Sequence, residues 1–204
     1  HNTLFPYTTL FRSMQTGATA GGYSDHQAPP RWSLPTPSDR QKRVLCWILI
    51  PLLAFLWFWF WRSSGWTGGD SEQWEREIHG GLWLRKRQML SFALMQLSFQ
   101  ITGPLLGWTA NMAIAFVSCL AGVVSMLICW RHFAGRPGAW WSFAIMATAG
   151  FTAIFYGHIE TYAQPIAALL LHLLAVRRHL EGKWPLWSVF LTFSFALCFH
   201  LVIL

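Results

Sequence analysis

Two carboxylates carry most of the chemical potential of this sequence. Asp70 lies in GWTGGDSEQWEREIHGG, and Glu160 lies in FYGHIETYAQP as the only acid between residues 88 and 180. Asp70 can cap a short helix, with Gln73 at the N3 position as in a capping box. Glu72 suits the first turn of that helix, and Gly80 and Gly81 can end it. The helix would set Trp74 and Ile78 on one face and Glu72, Glu75, Arg76 and His79 on the other. Glu75 and His79, at i and i+4, form a two-ligand candidate for a metal ion. Three-ligand spacing is absent, so a solvated face is the preferred reading of the pair. No cofactor is expected, and a divalent metal stays open.

Three cations follow at Arg85, Lys86 and Arg87. Either their stems snorkel along a membrane interface, or they form an anion site for a lipid phosphate. His158, Glu160 and Tyr162 alternate with apolar or small residues in a short turn. Gly157 can break the preceding helix, and Pro165 fits the first turn of the next. A hydrogen-bonded interfacial turn and a functional polar cluster are the two readings of that stretch. His172 and His200 lie inside apolar runs and are expected to make interhelical hydrogen bonds.

The elements that must position these groups are membrane helices. Of the 204 residues, 54% are hydrophobic, 17% aromatic and only 11% charged. Soluble domains carry about 25% charged residues. The expected fold is therefore all-α, a multi-pass transmembrane helical bundle with about five spans, near 44–61, 105–130, 139–156, 162–176 and 184–204. An outer loop over 62–104 contains the short helix above. Residues 14–43 are rich in Gly, Pro, Ser, Thr and Gln and predict a flexible tail. TLFPYTTLFRS, within residues 1–13, reads as a translated sequencing-library adapter and is set aside. The apolar run CFHLVIL at the far end predicts a fragment cut at its C-terminus, with its true N-terminus open. Cys46, Cys119, Cys129 and Cys198 match no metal or redox spacing, and no disulfide is expected.

The net charge of +7 gathers beside the spans. Arg31, Arg40, Lys42 and Arg43, then Arg131 and Arg136, then Arg177, Arg178 and Lys183 fall on one side if there are five spans. The positive-inside rule makes that side cytoplasmic, with an integral, plasma (inner) membrane location. This pattern addresses a lipid surface, with no nucleic-acid partner expected. MLSFALMQLSFQI, 89–101, is either a sixth span or an amphipathic helix on the outer surface. A sixth span would carry both later basic loops outside, so the surface helix is preferred.

An acid after GG in the first outer loop, followed by an interfacial helix, resembles the GT-C superfamily of membrane glycosyltransferases, in its protein mannosyltransferase-like branch (glycosyltransferase family 39-like). GDSEQWEREIHGGLWLRKRQMLSFAL is similar to that family's first outer loop. FYGHIETYAQP is similar to its short outer turn between spans three and four. The resemblance covers about residues 40–204, the N-terminal part of such an enzyme; the expected location is the plasma (inner) membrane of a prokaryote. The resemblance implies transfer of a sugar from a polyprenyl-phosphate carrier to an acceptor. Asp70 would be the base, Glu160 the second acid, and Arg85, Lys86, Arg87, His158 and Tyr162 would line the donor phosphate and substrate. Many members place two acids side by side, whereas Ser71 separates Asp70 from Glu72 here. A transporter or flippase with the acids lining a polar path, or a structural membrane subunit, are the non-catalytic alternatives.

Overall fold

A computed structural model describes residues 38–62, 71–134, 136–155, 157–159 and 161–200. Asp70 and Glu160 lie outside the described residues. Seven α-helices and one 3-10 segment make up the fold, with no strand among the described residues.

Helix α1, Asp39–Phe60, starts five residues before the expected span. Ser38 and Gln41 close a reciprocal capping box, with Ser38 N donating to Gln41 Oε1 (2.8 Å) and Gln41 N to Ser38 Oγ (3.3 Å). The basic residues at 40–43 therefore belong to the helix and not to a flexible tail. Helix α2, Ser71–His79, buries Trp74 and Ile78 as the spacing requires. Gln73 Nε2 donates to Glu77 Oε1 one turn on, at 2.7 Å; Asp70, its expected capping-box partner, lies outside the described residues.

The expected second span, 105–130, is divided. Helix α3, Met89–Leu106, ends at Gly107, whose left-handed backbone (φ 68°) closes the helix. Helix α4, Ala110–Phe133, starts afresh where Thr109 Oγ1 accepts from Met112 N. The expected third span, 139–156, is also broken. Helix α5, Ala139–Thr148, stops at an extended Ala149, and Gly150–Phe155 continues as a 3-10 segment. Helix α6, Ala163–Leu180, and helix α7, Leu186–Phe199, complete the bundle; Pro165 sits in the first turn of α6, where its missing N–H costs nothing.

Ring and polar contacts order the ends of these helices. Trp59, late in α1, stacks on Trp108 just before α4 (5.3 Å), while Ile50 shares a core cluster with Met126 far down α4. Helices α1 and α4 are thus antiparallel. His132 and Arg177 meet at 2.8 Å, so α4 and α6 finish together. His172 pairs with Thr192 (3.2 Å) and Tyr162 stacks on His200 (5.9 Å), so α7 returns alongside α6. Call the end marked by Trp61, Trp108, Tyr162 and His200 the upper end, and that marked by His132 and Arg177 the lower.

Helix α3 begins and finishes at the upper end. Gln88, its N-cap, lies 2.9 Å from His200, and Ser91 Oγ donates to Phe199 O (3.2 Å). Its other terminus feeds directly into α4. Its 18 residues, about 27 Å of helix, therefore lie across the bundle end. By length and composition α3 and α4 are both apolar enough to cross a membrane, and Val44–Phe60 and Leu186–Phe199 are shorter apolar helices. The contacts at its two ends set α3 apart from α4.

Helix α4 is the hub. Its buried face is built from small residues, including Ala113, Ser118, Ala121, Gly122 and Ser125, which let neighbouring helices approach closely. At Gly122 an added Cβ would lie 2.7 Å from Phe155 Cβ and 2.7 Å from the Phe58 ring. Those two rings meet edge to face at 5.7 Å, fastening α1 and the 3-10 segment to α4.

Candidate functional site

The upper end gathers most of the residues singled out by type and spacing. A core cluster of Trp74, Ile78, Phe92, Met95, Ala110, Ile114, Val117 and Ile159 joins α2, α3, α4 and the 157–162 turn. Trp74 stacks on Phe92 at 5.0 Å. Gln96 is fully buried; with its amide turned so that donors meet acceptors, its nitrogen donates to Ile78 O (3.0 Å) and Leu82 O (3.2 Å) and its oxygen accepts from Gln100 Nε2. That amide ties the C-terminus of α2 to α3. Asp70 is one residue before α2 and Glu160 one residue after Ile159, so the neighbours of both acids belong to one packed unit.

The turn itself is anchored through its backbone. Gly157 has φ 65°, and a Cβ there would come within 2.7 Å of Arg62 Cβ and 3.2 Å of Ala115 Cβ. Only glycine fits both the angle and the space. One residue on, His158 O accepts from Ser118 Oγ at 3.0 Å. Arg62 donates to Trp59 O (2.9 Å) and covers the Trp59 ring at 4.3 Å.

The three cations of the 85–87 run divide in their surroundings. Arg85 is half-buried; it makes an ion pair with Glu77 at 3.5 Å and lies over the rings of Trp74 (4.8 Å) and Phe92 (5.7 Å). Lys86 and Arg87 are exposed on the turn before α3. Arg87 is close enough to act electrostatically on His200, which bonds Gln88 and stacks on Tyr162. Arg87, His200, Gln88 and the half-exposed Tyr162 thus form one polar edge. Of the two candidate metal ligands, His79 is exposed with its ring against Phe99 (5.0 Å), and Glu75 is half-buried. Among the described residues no three metal-ligating side chains gather. His172 and His200 both make the interhelical contacts expected of them.

Several polar groups escaped sequence reading. Glu77 pairs with Arg85 only because the 80–84 segment folds back. Thr161 and Gln164 are buried, at 1% and 3% exposure, with no partner among the described residues for the hydroxyl or for either amide atom. The signal available for Gln164 was an amide in the first turn of an otherwise apolar helix. At the lower end, Glu181 collects Arg177 (2.8 Å), Arg178 (3.3 Å) and Lys183 (2.8 Å). The Lys183 hydrogen bond, aided by Arg177, holds the Glu181 carboxyl below the usual range.

No family model, no curated protein and no solved structure matches this chain.

Proposed function

We propose that this chain is part of an integral-membrane glycosyltransferase of the GT-C type, which moves a sugar from a polyprenyl-phosphate carrier to an acceptor. The observation that carries the reading is the shared core of α2, α3 and the 157–162 turn at one end of the bundle, which brings the neighbours of Asp70 and Glu160 to one small unit. In this reading α1, α4, α5 with its 3-10 extension, α6 and α7 are five passes, and α2 and α3 lie at the membrane surface. The exposed apolar side of α1, with Ile48, Leu52, Leu53 and Leu56 each about half exposed or more, fits lipid contact. The basic lower end is cytoplasmic.

Asp70 serves as base to the acceptor hydroxyl, and Glu160 completes the site. Lys86 and Arg87, both exposed, with Arg87 acting electrostatically on His200, meet the leaving phosphate. Arg85 holds α2 to α3 through Glu77 and Trp74, which makes it a positioning residue. The longest reading frame containing this chain, expressed in membranes and supplied with polyprenyl-phosphate-linked sugar, provides the test. Asp70→Asn should lower transfer by about 10²–10⁴-fold while insertion is unchanged. Full transfer by that variant would remove the base assignment.

A further inference from the structure

We infer that the groove between α3, α4, α6 and α7 is a binding site for a neutral, single-chain glycerolipid, with its acyl chain in the groove and its glycerol hydroxyl or ester on Gln164. The groove has a volume of about 400 Å³, within the range of about 300–1,000 Å³ typical of small-molecule sites. Its walls are apolar, with Leu97, Leu120, Val124, Leu171 and Phe195 among them, and it is open along one side. That shape takes one chain.

Gln164 supplies the specificity. It lines the groove in the first turn of α6, is 3% exposed, and neither Nε2 nor Oε1 has a partner among the described residues. The other polar groups on the wall are already engaged: Ser98 Oγ donates to Ala113 O, and Thr102 Oγ1 donates to Ser98 O. A buried amide with both atoms unpaired is costly, and a ligand that offers one donor and one acceptor removes that cost. A hydroxyl beside an ester does both. Among the described residues no charged side chain lines the groove, so a phosphate or carboxylate there would be buried without a counter-charge. The head is therefore neutral. This site does not rest on the transfer reading, and Gln164 has no part in that chemistry.

The test uses the full chain in phosphatidylcholine nanodiscs with a monoacylglycerol probe carrying a diazirine in its acyl chain. Crosslinked peptides are located by mass spectrometry. Adducts should concentrate on residues 94–102, 116–124 and 164–171, and unlabelled monoacylglycerol, but not a plain alkane of equal length, should compete. Gln164→Leu should weaken half-saturation about tenfold, the scale of one lost hydrogen bond, and should need about tenfold more monoacylglycerol for the same rise in Tm. Labelling spread evenly over the outer faces of α1 and α5, or native-like saturation by Gln164→Leu, would overturn the site. Should Gln164→Leu fail to fold, Leu120→Trp on the open rim decides. It should fill the groove and remove these adducts, and undiminished labelling would overturn the proposal in the same way.

Discussion

Gly157→Ala tests how the turn is held. The substitution adds one carbon, and both of its consequences follow from the geometry. The residue has φ 65°, where a Cβ costs about 1–2 kcal/mol. The new carbon also meets Arg62 Cβ at 2.7 Å and Ala115 Cβ at 3.2 Å. Neither neighbour can swing away, because both atoms are fixed to their backbones, and overpacking of this kind costs about 1–3 kcal/mol. Together the two effects come to about 2–5 kcal/mol. At roughly 2–4 °C per kcal/mol for a chain of this size, Tm should fall by about 4–20 °C. Gly150→Ala is the control, since nothing lies within 4 Å of its added Cβ. It should be neutral or stabilise by up to about 1 kcal/mol through the unfolded chain. Thermal unfolding in micelles, followed by circular dichroism, reads both. The reasoning is refuted if Gly157→Ala stays within about 0.5 kcal/mol of the native chain, or if the two variants are equally destabilised.

Gly122→Ala should destabilise by up to about 2 kcal/mol, because the clash with Phe58 and Phe155 outweighs the roughly 1 kcal/mol gained in helix propensity; thermal unfolding alongside a Gly122→Ala/Phe58→Leu double variant should show a combined loss smaller than the sum. Ser118→Ala removes the donor to His158 O and should cost about 1 kcal/mol, read as faster amide exchange in the 157–162 turn. For Glu181 the depressed folded value means its contribution is full above the unfolded value and is lost as pH falls through the folded one. Acid titration by NMR should therefore loosen the 181–185 turn below the ordinary glutamate range, and Glu181→Gln should remove that dependence.

Much of the helix pattern was legible because apolar run length and caps are local properties. Pro165 marked the start of α6, and the Trp74–Ile78 spacing gave the buried face of α2. The misplaced boundaries have local causes as well. Charged residues at 39–43 read as tail until the Ser38–Gln41 box is recognised. The continuous apolar stretch through 101–110 hid the break at Gly107, since hydropathy is blind to a left-handed turn. The end of α5 at Thr148 had no Pro or charge to announce it. For α3 the placement of cations elsewhere favoured a surface helix, while its length and composition also suffice for a span; its contacts with His200 and Phe199 join segments far apart in the chain. In the candidate site, the Glu77–Arg85 pair and the unpartnered Gln164 depend on residues brought together from separate elements, which spacing along the chain does not encode.

The most direct test of the account is the side of the membrane on which Lys86 lies. In a cysteine-free background, Lys86→Cys and Lys183→Cys are each labelled in sealed vesicles with an impermeant maleimide. With α3 lying on the surface, three passes (α4, α5 with its 3-10 extension, and α6) lie between the two positions, which should label from opposite sides. Labelling of both from the same side would make α3 a sixth pass and contradict the account.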